Sequence, residues 1–123
     1  MTARIAQWTL DVHDAELMAG FWSAALGYRI EATDTGSPHL YPPDGARPGE
    51  LTVWLQAGAG PKRDKNRNHP DLVAAGGDVE AEVDRLVALG ARRVDVGQSG
   101  DEGFVVLADP EGNEFCVLRR TSA

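Results

Sequence analysis

Alternating apolar and polar residues predict the first strand, over residues 5–12, with polar Gln7, Thr9 and Asp11 on one face. Helical spacing of apolar residues then predicts two helices, over residues 14–26 and 78–89. In the first helix the predicted buried stripe comprises Leu17, Phe21, Ala24 and Ala25. Each helix begins at an aspartate suited to an N-cap and ends before a glycine suited to a C-cap. Shorter β-rich stretches predict strands at residues 28–31, 39–41, 51–56, 69–74 and 92–96.

The segment at residues 104–118 predicts a β-hairpin. Two apolar runs flank the turn Asp-Pro-Glu-Gly-Asn, in which Pro fixes φ and Gly accepts a positive φ. Alternation in the last strand puts Glu114 and Cys116 on one face and the apolar Phe115 and Val117 on the other. The apolar pair is expected to pack against a helix, which leaves the carboxylate and the thiol on the opposite face.

An internal repeat organises the whole chain. Both predicted helices end in Ala-Leu-Gly, and the strands before and after them recur at matching distances. Within one residue, Gln7 corresponds to His69 and Trp54 corresponds to Cys116. A half of this size buries little core alone, so we expect one domain over residues 1–123, of the α+β class. Its halves would span about 1–60 and 66–123, with a basic linker loop at 61–68.

Composition excludes several functional classes. The 123 residues carry a net charge of −7, which disfavours binding to nucleic acid or to anionic membrane surfaces. No apolar run approaches the length of a membrane span, and no signal-peptide pattern opens the chain, so we expect a cytoplasmic protein. The single cysteine, Cys116, excludes an internal disulfide and a multi-cysteine zinc site.

Four segments together carry a family resemblance: FWSAALGY at 21–28, KNRNHPDL at 65–72, RLVALGA at 85–91 and DPEGNEF at 109–115. The chain resembles the glyoxalase, bleomycin-resistance and extradiol-dioxygenase superfamily, also called vicinal oxygen chelate proteins. It is most similar there to small glyoxalase-like domain proteins. The resemblance implies two βαβββ units curled into a half-open barrel, commonly completed in a homodimer.

The resemblance also implies where a metal ion would sit. Metal-using members hold it with side chains from the first and last strands of the units, at positions that correspond here to Gln7, Trp54, His69 and Cys116. Their usual donors are His, Gln and Glu, which suit Fe, Mn, Ni or Zn as a Lewis acid. Trp54 has no ligating atom and Cys116 replaces a carboxylate. We therefore expect no cofactor, with a divalent metal held by Gln7, His69 and Glu114 as the alternative.

The candidate residues each have a second interpretation. His69 is a ligand or general base, or else a hydrogen-bonded structural histidine. Cys116 is a soft-metal ligand or an inert packing residue. Glu114 is a third ligand or a general base. Trp54 would stack a planar ligand, and the short strand that carries His39 and Tyr41 would line the same cavity.

Two classes of function remain open, beside a third alternative of an inactive module that mainly dimerises. The first is a metal-independent binder of a small organic ligand, such as a drug-sequestering protein, in which Trp54 stacks the ligand and Gln7, His69 and Glu114 orient it. The acidic charge suits a cationic drug. The second is a metal-dependent lyase, isomerase or dioxygenase with a rearranged site. Whether the protein is an enzyme stays open, because fold alone does not settle function.

Overall fold

A computed structural model describes residues 1–45, 49–100 and 102–119. The chain forms two compact units, Met1–Pro61 and Lys62–Ala123, each with its own sheet and helix. Within the described residues, no helix is long and apolar enough to cross a membrane. The expectation of one domain over both halves stays a prediction.

The first unit contains β1 (Gln7–Val12), α1 (Ala15–Leu26), β2 (Arg29–Glu31), β3 (His39–Tyr41) and β4 (Thr52–Ala57). Its four strands lie in the order β1-β4-β3-β2. β1 and β4 are parallel, whereas the other neighbours are antiparallel, so the sheet is mixed.

The second unit repeats this pattern with β5 (Asp71–Val73), α2 (Val79–Leu89), β6 (Arg92–Arg93), β7 (Phe104–Ala108) and β8 (Glu114–Leu118). Its strand order is β5-β8-β7-β6, and β5 and β8 are the parallel pair. Thr9 pairs with Trp54 in the first sheet as Asp71 pairs with Cys116 in the second, at the same separation along the chain. The predicted α+β class with two βαβββ units is confirmed, and the repeat register agrees with the prediction.

Both helices begin as their sequences predict. Asp14 accepts a hydrogen bond from the Leu17 amide at 3.1 Å, and Asp78 accepts one from the Ala81 amide at 3.1 Å. The predicted buried stripe of α1 was wrong in part, because Leu17 and Ala24 are exposed. The buried face is rotated toward the largest apolar side chains, and it comprises Met18, Ala19, Phe21, Trp22 and Ala25.

Each sheet has one face turned toward its helix. In the first unit, the Trp8 ring contacts the Trp22 ring of α1 edge to face, with centroids 4.9 Å apart. In the second unit, Arg93 reaches Glu80 of α2 at 3.1 Å, so its row partners Leu107 and Phe115 share the helix side. Alternation then assigns the remaining side chains of each sheet to the opposite, polar face. All of the candidate residues on the strands lie on these polar faces.

Two strands are shorter than predicted, each for a local reason. β5 begins after Pro70, whose carbonyl accepts the Cys116 amide at 3.0 Å but which has no N–H to continue the ladder. β6 ends at Arg93 because side chains bond the backbone beyond it: Asp95 accepts the Gly97 amide and Gln98 accepts the Val96 amide.

The β7–β8 turn is held by hydrogen bonds to one buried carboxylate. Asp109 is 1% exposed, and its Oδ1 accepts hydrogen bonds from the amides of Glu111 and Asn113, both at 3.0 Å. The Asn113 side-chain amide bonds both oxygens of the same carboxylate. Gly112 takes the positive φ of 91° that the turn requires. The hairpin predicted from the sequence is confirmed, and it fixes the register of Glu114 and Cys116.

We predict that Asp109→Ala lowers the free energy of unfolding by about 2–3 kcal/mol, because buried amides lose a charged acceptor. Urea denaturation of the full chain measures this loss. Asp14→Ala is the matched control, since it removes a carboxylate from an exposed helix cap and should cost only about 1 kcal/mol. Equal losses in the two variants would contradict the special role of the turn.

Candidate functional site

The polar face of the second sheet gathers His69, Asp71 and Cys116. Cys116 and Asp71 are paired across the parallel strands β8 and β5, and His69 precedes Asp71 by two residues. The His69 Nδ1 atom lies 3.3 Å from an Asp71 carboxylate oxygen. Ligating atoms of all three residues lie within 4.8 Å of one another. We call these three residues the polar triad.

Burial controls the chemistry of the thiol in this triad. Cys116 is 6% exposed, whereas the side chains of His69 and Asp71 are 37% and 47% exposed. Desolvation, together with the negative charge and hydrogen bond of Asp71, raises the pKa of the Cys116 thiol to about 11. The thiol is therefore protonated at neutral pH and a poor nucleophile unless a cation displaces its proton.

Glu114 lies on the same face as Cys116 but is held by other partners. One carboxylate oxygen accepts the Asn66 amide and the other contacts the Lys62 ammonium, each at 2.8 Å. Desolvation opposes ionisation at this buried position, but the hydrogen bonds from Lys62 and Asn66 outweigh it, and the pKa of Glu114 is lowered. A carboxylate held in this way is a weak base, which favours a structural role for Glu114.

The first unit presents a different surface, formed by His39, Tyr41 and Trp54, which we call the aromatic patch. The His39 ring meets the Trp54 ring edge-on with centroids 5.2 Å apart, and its Nδ1 lies 3.0 Å from the Tyr41 hydroxyl. The Arg29 guanidinium lies 5.0 Å above the Tyr41 ring. Within the described part of the chain, Trp54 Nε1 is the buried side-chain nitrogen or oxygen that has no hydrogen-bond partner.

Gln7 lies on the polar face of the same sheet as the aromatic patch. Its side-chain amide donates to the Thr9 hydroxyl at 3.2 Å, and Thr9 is the strand neighbour of Trp54. Gln7 is exposed. The predicted residues thus fall into two groups, one in each unit.

Sequence reasoning missed Asp71. It follows His69 by two residues in the predicted strand, so alternation alone places both side chains on one face. The repeat carries the same information. Asp71 and Cys116 occupy in the second half the positions of Thr9 and Trp54 in the first, and both pairs are neighbours on parallel strands. The signal was present, but Asp71 lay outside the positions that the resemblance singled out.

Comparison with known proteins identifies the fold. The model of the glyoxalase-like domain family matches residues 7–118. Among solved structures, fosfomycin resistance protein FosX from Listeria monocytogenes, complexed with Mn(II) and a dihydroxypropylphosphonic acid, is similar with a TM-score of 0.73 and 16% identity over 98% of this chain and 93% of that one. A search of curated proteins finds no match.

Two further structures extend the comparison. A hypothetical protein from S. aureus has a TM-score of 0.67 and 20% identity over 96% of this chain and 94% of that one. A glyoxalase/bleomycin resistance protein/dioxygenase family enzyme from Burkholderia phytofirmans has a TM-score of 0.67 and 16% identity over 94% and 97%. At these identities the likeness establishes the fold.

The residues present do not fit a hard ion such as Mn(II). That ion favours carboxylate and other oxygen ligands, whereas the donor cluster that the structure brings together includes the thiol of Cys116. The polar triad instead offers one sulfur, one nitrogen and one oxygen donor, a set that suits Zn(II). The donor set therefore separates this chain from a manganese site.

We predict slow alkylation of native Cys116 at pH 8, because a thiol with a pKa of about 11 is ionised in about one molecule per thousand. Iodoacetamide labelling followed by mass spectrometry should show a much faster reaction in urea and a native rate that rises with pH. Asp71→Asn should lower the pKa and raise the native rate, whereas Asp84→Asn on α2 should not. Equal native and unfolded rates would show that the thiol is not shielded.

Proposed function

Because the chain belongs to the glyoxalase-like domain family, we propose that it binds a small organic ligand with a planar group, without requiring a metal ion. The ligand lies on the polar face of the first sheet, against the aromatic patch. The unpartnered Trp54 Nε1 carries this proposal. Sequestration of a drug or antibiotic is the biological role that we infer, in a cytoplasmic homodimer.

The unpartnered indole supports a ligand with a hydrogen-bond acceptor. A buried N–H without an acceptor costs roughly 1–3 kcal/mol. Such groups are rare in folded proteins, so an acceptor on a bound molecule or water is expected here. An acceptor atom of a bound molecule would satisfy Trp54 Nε1 while a planar group contacts His39 and Tyr41. Gln7, beside Thr9, would orient polar groups of the same molecule.

Two further observations fit a binder. The net charge of −7 attracts cationic molecules. Two proteins of similar structure are named for resistance to fosfomycin or bleomycin. By the family resemblance, Trp54 stands where metal-using members have a metal ligand. Its indole offers contact area to an organic ligand and no donor atom to a metal ion. Both points support ligand binding and neither identifies the ligand.

We predict that Trp54→Phe weakens binding of an aromatic ligand by roughly tenfold, because the ring remains but the N–H is lost. Bleomycin is the first probe, followed by a panel of aromatic natural products, with binding followed by calorimetry and by quenching of tryptophan fluorescence. Trp8→Phe is the matched control, since Trp8 contacts Trp22 on the helix side of the sheet.

The control variant should bind as tightly as the wild-type protein. If the wild-type protein and Trp54→Phe bind a ligand with equal affinity, the indole N–H does not contribute to binding. Failure of every probe to bind would count against the drug-binding role.

A second function is favoured by the polar triad, namely a metal-dependent lyase, isomerase or dioxygenase. The ligand set then differs from the expected Gln7, His69 and Glu114, because Glu114 is engaged by Lys62 and Asn66. His69, Asp71 and Cys116 would hold a zinc ion, which supplies Lewis-acid polarisation when bound. The Cys116 proton must leave for this to happen, so affinity would rise with pH.

Metal content separates the two functions. If the binder proposal is correct, purified protein carries no stoichiometric metal, and Zn, Ni, Mn, Co and Fe(II) leave its melting temperature unchanged. A saturable rise with zinc that disappears in His69→Ala and Cys116→Ser, but persists in His13→Ala, would replace the first function with the second. Elemental analysis and thermal-shift titration provide both measurements.

A further inference from the structure

A polar cleft of about 450 Å³ opens beside the β7–β8 turn of the second unit. Strand β6, the turn and the start of β8 form its walls. Its charged lining comprises Lys62, Arg92, Arg93, Asp95, Glu111 and Glu114. The aromatic patch contributes nothing to it, and neither does the polar triad.

The sheet register places two of the charged lining residues on one face. Arg92, Ala108 and Glu114 form one cross-strand row over β6, β7 and β8, so their side chains point to the same face. Ala108 is buried, whereas the basic and the acidic side chain on either side of it both line the cleft.

The acidic member of this row is already neutralised. Glu114 is bonded to the Lys62 ammonium and to the Asn66 amide, both at 2.8 Å. Both of its carboxylate oxygens therefore have partners. The ion pair leaves the Arg92 guanidinium as the unpaired cation of the cleft.

Arg92 contrasts with its neighbour in the sequence. Arg93 points to the helix side and is paired with Glu80 at 3.1 Å. The Arg92 side chain makes no hydrogen bond and no ion pair with any residue in the described ranges. Its five N–H donors are thus available on the cleft side, in the planar arrangement that matches two oxygens of one anion.

Gly112 brings the two cations together at the turn. A Cβ atom added to Gly112 would lie 3.7 Å from both Arg92 Nη2 and Lys62 Cδ. Both side chains therefore lie against the same point of the turn, where the backbone has a φ of 91° that favours glycine. The Gly112 amide donates to the Asp109 carbonyl and lies at the same point of the turn. Its NMR resonance is therefore expected to shift when a ligand binds there.

We propose that this cleft binds the oxyanion group of a small molecule, a carboxylate or a phosphate-type group, with Arg92 as the principal contact. Lys62 contributes positive charge while it remains paired with Glu114. Asp95 and Glu111 also line the cleft, and their negative charges favour a ligand with one anionic group over a polyanion. This site is independent of the ligand proposed for the aromatic patch.

The test uses the ¹⁵N-labelled full chain titrated with sodium acetate and with inorganic phosphate, at an ionic strength held constant with chloride. The reporters are the Gly112 amide and the Arg92 Nε–H resonances. We expect a saturable shift of both. Arg92→Gln should weaken the affinity by roughly ten- to a hundredfold, as expected when a charged hydrogen-bond donor is removed.

Arg85→Gln is the matched control, because it removes the same charge from α2, where Arg85 is paired with Glu82 at 2.7 Å and does not line the cleft. It should change the affinity by less than about twofold. Saturation by acetate, by phosphate or by both supports the site and identifies the group it prefers. Absence of a saturable shift, or equal weakening in the two variants, overturns it.

Discussion

One helix packs on one face of each four-stranded sheet, and this packing decides which side chains are left for chemistry. In the first unit the contact of Trp8 with Trp22 marks the covered face. In the second unit the pairing of Arg93 with Glu80 marks it. Because strand side chains alternate, every second residue is excluded from the covered face and lies on the other. Candidate residues far apart in sequence therefore share a surface within each unit.

The two units use the same register for different chemistry. Thr9 and Trp54 occupy in the first sheet the positions that Asp71 and Cys116 occupy in the second. The first pair belongs to a surface of aromatic rings with an unpartnered indole N–H. The second belongs to a cluster of a thiol, a carboxylate and an imidazole. Such divergence at equivalent positions fits a family in which the fold is a support and the site residues set the function.

Neighbouring charges shift the pKa values of two residues of one strand in opposite directions. Glu114 and Cys116 are both buried and stand two residues apart on β8. The pKa of Glu114 is lowered despite desolvation, because Lys62 and Asn66 bond its carboxylate. The pKa of Cys116 is raised, because desolvation acts together with the negative charge of Asp71. One strand therefore carries an ionised carboxylate and, two residues further on, a thiol that stays protonated at neutral pH.

The sequence by itself determined the elements, the repeat and the face on which each strand residue lies. These depend on local periodicity, on capping aspartates and on the turn chemistry of residues 109–113, all of which act over a few residues. The shorter β5 and β6 show the limit of such reasoning. Pro70 has no N–H to continue the ladder of β5, and the side chains of Asp95 and Gln98 bond the backbone just after β6.

Only the tertiary structure decided which groups are partnered. Glu114 looked available as a base from its position, but its charge is taken by Lys62, which lies about fifty residues earlier in the chain. Asp71 lies with His69 and Cys116. Among the residues that the structure describes, Trp54 Nε1 has no acceptor and the Arg92 side chain has no carboxylate partner. Pairing depends on distances between strands and loops that are remote in sequence. Hydrophobic periodicity carries no information about such distances, because it records only the side of an element that a residue occupies.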